Sequence, residues 1–258
     1  MSIYKVQDKK TIAPLYGNWE EACIWSCLQD CMGVAYADDE YYPQSAMIIV
    51  ADFCFLAGVA NDVLLREGLK SQGAEFLIVV PQNKEWEESI ERIYAKRAQR
   101  RVRYATKKEK NVFDEKHLQG LVSVLPNKYE IKLINEEIHA KMSKLKWTIN
   151  SAGSYESYED YEKNALGVAI LEEGEPVSIA ATYTHYLQGI DVGIDTREDR
   201  RCQGLASICG AQLILECLKR KLYPCWDAHS KASLAVAQKL GYHFEREYTS
   251  YEVKITSS

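Results

Sequence analysis

The sequence predicts an α/β protein arranged as two successive α/β halves, and three observations carry that prediction. Short apolar runs bounded by turn residues alternate with helix-periodic segments along the chain. Each half repeats one order of elements: strands, then a helix, a strand, a helix and a strand. At 258 residues and 47% apolar composition, the chain is long enough for one large or two modest domains with buried cores.

In the first half, Trp19 to Met32 reads as a helix capped by Asn18, and Val34 to Ala37 as a short strand. Asp38-Asp39-Glu40 and Pro43 mark a turn. Ala46 to Ala51 and Asp52 to Leu56 are two strands or one bent strand. A helix follows over Val59 to Leu69, then a strand over Glu75 to Val80 that Pro81 closes. Glu85 to Tyr94 is helical, and Arg101 to Ala105 is a strand.

The second half begins after the charged stretch Lys107 to Lys116, which places domain limits at 1–110 and 111–258. Lys128 to Ile134 alternates as a strand, Glu136 to Leu145 is a helix, and Ser154 to Tyr161 is an acidic helix or loop. Gly167 to Leu171 and Pro176 to Tyr186 form a strand pair about a Glu-Glu-Gly-Glu turn. Gly189 to Thr196 is a strand, Gly204 to Arg220 a long helix, and Tyr223 to Trp226 a short strand. Ala232 to Leu240 is a helix stopped by Gly241, and Tyr242 to Lys254 supplies the final strand.

Composition narrows the function. A net charge of -5 argues against a dedicated nucleic-acid binder, although Lys96 to Lys110 is locally basic. That run reads as an edge strand and linker, with an RNA or phosphate grip as the rival. The N-terminal residues lack an apolar signal core, and the apolar stretch Ala46 to Ala60 is broken by Asp52 and Gly58, so no membrane span is expected. The eight cysteines form no C-x-x-C pair, which favours reduced thiols in the cytoplasm. Cys23, Cys27 and Cys31 share a helix face but lack the spacing of a zinc site, and the five histidines show no ligand spacing, so no metal is expected.

The chemistry concentrates in Ile190 to Ala206, IDVGIDTREDRRCQGLA. A strand enters a polar turn and then a helix at Gly204. Free amides and the dipole at a helix N-terminus suit a diphosphate. Gly204 allows close approach, Ala206 keeps the first turn small, and Arg200 and Arg201 add positive charge.

The strand–R-x-x-G-x-A–helix arrangement resembles the acetyl-coenzyme A loop of the GNAT superfamily of N-acetyltransferases, through Arg201, Gly204 and Ala206. A second family segment is matched by Ser230, Ser233, Val236, Lys239, Leu240, Gly241 and Tyr242. The resemblance implies a mixed twisted sheet flanked by helices (the GNAT fold) in the C-terminal half. The shared element order raises a duplicated fold, with the N-terminal α/β half as a degenerate copy, as a hypothesis. It implies acetyl transfer from acetyl-coenzyme A to a primary amine. The coenzyme would be held by Ile194, Asp195, Thr196, Arg200, Arg201, Cys202, Gln203, Gly204, Leu205, Ala206, Ser207, Ser230 and Ser233. Asp52 to Gly58 and Leu222 to Asp227 look like the subfamily that includes the zwittermicin A resistance acetyltransferase, which implies a small-molecule amine acceptor. The sequence does not decide the oligomeric state; a homodimer is compatible with it.

The chemistry needs a base for the amine, a donor to the thioester oxygen and a proton for the thiolate. Asp191 and Asp195 are candidates to act as base or to hold a cationic amine, and His185, near the expected acceptor side, is a further catalytic candidate. The family tyrosine that serves as acid is replaced by Ala237, which leaves Tyr248 or Tyr251 as substitutes, or water. That departure keeps open a non-catalytic coenzyme-binding scaffold, beside a transferase acting on protein or tRNA. Trp147 and the Tyr155–Tyr161 segment are candidates to line the acceptor pocket, with Glu156, Glu159 and Asp160 suited to a cationic amine.

Overall fold

A computed structural model describes residues 3–148, 155 and 157–255. Ser154 and Glu156, which fall in the predicted acidic segment, lie outside the described residues. The chain divides into two compact units: Met1–Arg103 with Glu247–Ser258, and Tyr104–Arg246.

The first unit contains β1 (Tyr4–Lys5), α1 (Ala13–Tyr16), α2 (Ala22–Leu28), β2 (Val34–Ala37), β3 (Ser45–Val50) and β4 (Phe53–Gly58). After them come α3 (Asp62–Lys70), β5 (Phe76–Pro81), α4 (Lys84–Tyr94) and the start of β6 (Ala98–Thr106). Helix α2 is shorter than the sequence predicts and starts after Glu21, so Asn18 is not its cap. The bent-strand alternative resolves into a hairpin, with Ala51 at φ 51 between β3 and β4. Strands follow the order β1-β2-β3-β4-β5, joined by β13 (Phe244–Lys254) and then β6. All the pairings from β1 to β4 are antiparallel, and β4 with β5 is parallel.

Strand β13 explains why the unit limits differ from a cut at 110/111. Its residues Tyr251–Lys254 pair antiparallel with Val79–Phe76 of β5. Tyr251 and Val253 enter the same core as Leu56, Leu64, Leu65, Trp86 and Ile90. The last strand therefore completes the first unit, and the first half cannot close its own sheet without it.

The second unit adds α5 (Glu115–Ser123), β7 (Tyr129–Leu133), α6 (Glu136–Met142), α7 (Tyr158–Asn164), β8 (Gly167–Glu172), β9 (Glu175–Tyr186) and β10 (Gly189–Thr196). It continues with α8 (Leu205–Lys219), β11 (Tyr223–Cys225), β12 (Asp227–Ala228) and α9 (Lys231–Lys239). Its five-stranded sheet runs β11-β10-β9-β8-β7. Only the β10–β11 pairing is parallel. One side of this sheet packs Val168, Ile170, Ala180 and Ile190 with Leu205, Ile208, Cys209 and Leu213 of α8. Ala169, Leu171, Ile179 and Ala181 cluster instead with Ile138, Met142, Tyr155 and Tyr161. Successive strand residues point to opposite faces, so a sheet covered on both sides requires near-continuous apolar strands, as β8 and β9 are.

The basic run of β6 is largely neutralised inside the first unit. Arg100 faces Glu87 at 3.6 Å, Arg101 pairs with Glu252 at 2.8 Å, and Arg103 lies over the Phe53 ring at 4.8 Å. Cys23 and Cys27 are buried in α2, which supports packing rather than ligation. Among the described residues, no helix is long and apolar enough to cross a membrane.

Val253→Asp places an unpaired charge in the first core and is expected to cost about 3–5 kcal/mol. Hydrogen exchange should show protection lost at Leu77–Val80, with Val168–Ile170 retaining it. Equal loss in both segments would count against assigning the last strand to the first unit.

Candidate functional site

The site is built where β10 parts from β11. Against β9, strand β10 is paired along its whole length, with a bulge at Asp191/Val192. Against β11 it is paired only over Gly189–Asp191, with Tyr223–Cys225. Beyond that point the following strand leaves: Asp227 and Ala228 pair with Ala105 and Tyr104 of β6 instead. Trp226 enforces the turn. Its side chain is buried among Ala211, Ile214, Leu215, Ala237 and Leu240. Its carbonyl accepts from Thr106 Oγ1 at 2.6 Å, and its Nε1 donates to Ser233 Oγ at 3.2 Å. Val192–Thr196 thus keep one strand edge without a neighbouring strand among the described residues.

The loop after β10 leaves a second set of backbone groups available. A 3-10 turn, Glu198–Arg200, leads to Cys202 at φ 60 and to Gly204 at φ 81, the N-cap of α8. No side chain caps this helix. The amides of Cys202, Gln203, Gly204, Leu205, Ala206 and Ser207 meet no acceptor among the described residues. Cys202, Gln203 and Gly204 are exposed, whereas Leu205 and Ser207 are buried and Ala206 half-buried. A Cβ added at Gly204 would meet nothing within 4 Å, so the space before the helix is open. The positive end of the helix dipole faces that space, a combination that binds phosphate groups.

Charges around the loop are organised by Glu172 at the end of β8, a residue sequence reasoning missed. Its carboxylate takes Arg200 at 2.7 Å, Lys128 at 3.0 Å and Arg197 at 3.7 Å. Lys128 and Arg200 hold it below the usual carboxylate range. Arg200 also pairs with Asp199 at 2.8 Å. The positive charge expected of Arg200 is therefore neutralised within the protein. Arg201 remains exposed, with its Nε donating to the Thr196 carbonyl at 3.2 Å. Gln203 Oε1 accepts from Tyr129 at 3.0 Å, which ties the loop to β7. The signal missed in the sequence is one acid among the three of the Glu172-Glu173-Gly174-Glu175 turn, whose partners lie at Lys128, Arg197 and Arg200.

His185 pairs in register with Ile190, immediately before Asp191 and the bulge. Its Nδ1 lies 3.1 Å from Tyr155 Oη, and the two rings stack at 6.0 Å. Burial pushes its pKa below the ordinary histidine value, with Asp160 pulling weakly upward. Asp160 also accepts from Asn164 at 2.8 Å, and Glu159 is exposed on α7. The turn Lys146–Thr148 touches β10, and Trp147 packs half-buried against the Tyr155–Tyr161 cluster. Asp191 is half-buried and close enough to raise the pKa of Tyr186 and Tyr242. The Asp195 carbonyl accepts from Ser178 Oγ at 3.3 Å, and Thr196 Oγ1 lies 2.8 Å from the same hydroxyl. Ile194 packs half-buried against the α8 core.

Other predicted residues have structural tasks. Ser230 caps α9 by accepting from the Ser233 amide at 3.2 Å, and Ser233 Oγ holds the Trp226 indole. Ala237 is fully buried in the cluster of Trp226, Leu240 and Tyr242, and its methyl group carries no proton to donate; the nearby Tyr242 phenol is spent on the Pro224 carbonyl at 2.7 Å. Tyr248 and Tyr251 belong to the first unit. The Tyr248 hydroxyl accepts from Arg103 Nε at 3.2 Å, and buried Tyr251 donates to Glu91 at 2.6 Å. Among the described residues, no group of three or more His, Cys, Asp or Glu side chains is arranged to hold a metal.

The first unit repeats the strand–helix–parallel strand–helix order as β4, α3, β5 and α4, but its corresponding end is closed. Strand β4 stays paired with β5 over Phe53–Leu56, and the Gln82 amide extends the contact to Leu56 O at 3.0 Å. Asn61 caps α3 by accepting from Val63 and Leu64 at 3.0 and 3.1 Å. Asn83 and Trp86 both donate to the Gly58 carbonyl, at 3.0 and 3.1 Å. The amides and edge left open in the second unit are thus filled by the chain itself in the first.

Comparison with known proteins agrees with this architecture. A family model described as GNAT acetyltransferase matches residues 13–251. The uncharacterized N-acetyltransferase YdfB of Bacillus subtilis (strain 168) is 24% identical, over 97% of this chain and 99% of its own length. A GCN5-related N-acetyltransferase-like protein from Streptococcus suis 89/1591 superposes with a TM-score of 0.90 at 42% identity, covering 96% of this chain and 98% of that one. The fold also matches a tandem GNAT protein from the clavulanic acid biosynthesis pathway, with a TM-score of 0.59 at 9% identity over 100% of both chains.

The Glu172 cluster carries a pH prediction. Its folded pKa is depressed, so the clamp is present above the unfolded carboxylate value and is lost as pH falls through the lower folded one. The Arg200 Nε–H resonance should move toward an exposed position only below the ordinary carboxylate range. Glu172→Gln should remove that titration; its persistence would exclude Glu172 as the clamp.

Proposed function

The chain belongs to the GNAT acetyltransferase family and is an acyltransferase, and from that premise we propose that it transfers acetyl from acetyl-coenzyme A to a primary amine of a small molecule. The observation that carries the donor is the pairing of an unpartnered strand edge, Val192–Thr196, with the uncapped amides of Cys202–Ser207. A coenzyme offers a partner for each: amide groups along its pantetheine arm for the strand, and a diphosphate for the helix end. Arg201 adds charge beside the phosphates, and open space at Gly204 admits them. The small-molecule acceptor is supported by the resemblance of Asp52–Gly58 and Leu222–Asp227 to the zwittermicin A resistance subfamily. The free state of the cysteines suits a reducing compartment, the cytoplasm.

In this reading the acceptor enters as an ammonium and gives its first proton to a base and on to solvent; the neutral amine then attacks the thioester carbon, the carbon–sulfur bond breaks, and a second proton passes from nitrogen to the leaving thiolate. A β10 amide at the bulge stabilises the oxygen that gains charge. His185 accepts the amine proton, being neutral near pH 7 because burial lowers its pKa. Tyr155 fixes the ring, and Asp160 and Glu159 attract the cationic acceptor. Water carries the second proton to sulfur, because Ala237 offers no acid.

Titration calorimetry should find one acetyl-coenzyme A per chain, since α8 starts without a side-chain cap whereas the corresponding helix of the first unit, α3, is capped by Asn61. Gly204→Trp should abolish that binding while leaving the circular dichroism unchanged; undiminished affinity would overturn the loop assignment. Thiol release across a panel of small amines should identify an acceptor. Coenzyme binding without turnover on any amine would favour a non-catalytic scaffold.

The base assignment predicts a pH profile. His185 is competent only when neutral, so kcat/KM should fall as pH drops through a value below about 6.5. His185→Gln should lower the rate about 100-fold and erase that limb. A limb that survives the substitution would exclude His185.

A further inference from the structure

The first unit carries a cavity that acyl transfer does not use. It encloses about 560 Å³ and is lined by Arg66, Lys70, Ala74, Ile93, Tyr94, Arg97 and Ile255, together with Gly73. That volume falls in the range of small-molecule sites. Ala74, Ile93 and Ile255 give it an apolar part, and Arg66, Lys70 and Arg97 a cationic one, with Tyr94 between them in kind.

The three cations have no ion-pair partner, although the Asp62 carboxylate on the same helix feels the charge of Arg66. Among the described residues, no carboxylate lies at ion-pair distance from Arg66, Lys70 or Arg97. Other basic residues of the same unit are neutralised: Arg92 by Asp62 at 2.6 Å, Arg101 by Glu252 at 2.8 Å. Arg66 and Lys70 stand four residues apart on α3, a spacing at which like charges repel. Arg97 is half-buried and pre-positioned. Its Nη1 donates to the Ile255 carbonyl at 3.2 Å, and its guanidinium lies 5.2 Å from the Tyr94 ring centroid. Both guanidinium groups act on the Tyr94 phenol, which burial and Glu67 nonetheless raise to about 12, so it stays a neutral donor.

We propose that this cavity binds a small phosphorylated metabolite, with Arg66, Lys70 and Arg97 pairing its phosphate oxygens and the apolar residues receiving its organic part. A phosphate would supply the ion-pair partner that all three cations lack among the described residues. The proposal is independent of the coenzyme loop, which belongs to the second unit.

The test uses the full chain carrying Gly204→Trp, so that phosphate cannot report on that loop. Calorimetry with inorganic pyrophosphate and with adenosine 5′-monophosphate should give one saturable site per chain for at least one of them. Arg66→Gln with Lys70→Gln changes two exposed side chains and should weaken that binding at least tenfold with the melting temperature preserved. Arg97→Lys should weaken it as well, because the planar donor pair is lost. Affinity should also fall as salt is raised. Absence of saturable binding by both probes, or binding that both sets of substitutions leave intact, overturns the proposal. Acetyl-coenzyme A binding to the unmodified protein is read separately, so either reading can fail alone.

Discussion

The architecture of the second unit depends on the separation of β10 from β11 after Asp191. A buried strand edge and a helix N-terminus both carry obligatory hydrogen-bonding groups, and a protein normally satisfies them internally. Here the chain turns at Trp226 to pair with β6, and Gly204 starts α8 without a capping side chain. The fold invests in this opening. Trp226 is buried, its carbonyl and indole nitrogen are both bonded, and Leu205, Ile208 and Cys209 seat the helix firmly on the sheet. Unsatisfied groups set in so rigid a frame are pre-organised for a ligand that supplies the missing partners.

The first unit shows the same succession of elements under the opposite constraint. Asn61 is a preferred capping residue, and its carboxamide occupies the two amides that a phosphate would need. Strand β5 stays alongside β4, and the Gly58 carbonyl is held by Asn83 and Trp86. These bonds add stability and remove binding capacity together. The unit also depends on the chain's final strand, whose Tyr251 and Val253 complete its core. Linear order and structural membership therefore differ, because β5 requires a neighbour that the first hundred residues do not supply.

Much of this was legible in the sequence because it rests on local chemistry. The strand, the polar turn and the helix starting at Gly204 are written in adjacent residues, and so is the Leu240-Gly241 stop of α9. Long-range relations were not legible. Helix α5 escaped notice because Gly120 interrupts a weakly apolar, charged segment, and its one fully buried side chain is Leu118. Glu172 looked like a hairpin acid until folding gathered Lys128, Arg197 and Arg200 around it. For the same reason Arg200, which beside Arg201 looked like a phosphate ligand, serves the loop's internal order instead. Ser230 and Ser233 matched a motif whose local reason is capping and support of Trp226.

Ala237 sharpens what the remaining site must accomplish. A tyrosine there would need room within the cluster that Trp226, Leu240 and Tyr242 fill, and burial would hold its phenol neutral. With alanine, the position is fully buried beside the indole that redirects the chain toward β6, and its methyl group carries no proton to donate. Under the proposed acetyl transfer, proton transfer would fall to the other side of the bulge, where His185, Tyr155 and Asp160 are gathered. A half-buried histidine kept neutral by desolvation and held by a phenol is suited to accepting a proton from an amine, the step that limits attack when the acceptor arrives charged. Acid assistance to a thiolate is the less demanding requirement, since a thiol is a far better leaving group than an amine and water can protonate it. Under the proposed acetyl transfer, the loss of an acid at Ala237 is thus the smaller loss, because the base for the nucleophile is the group the reaction would need most.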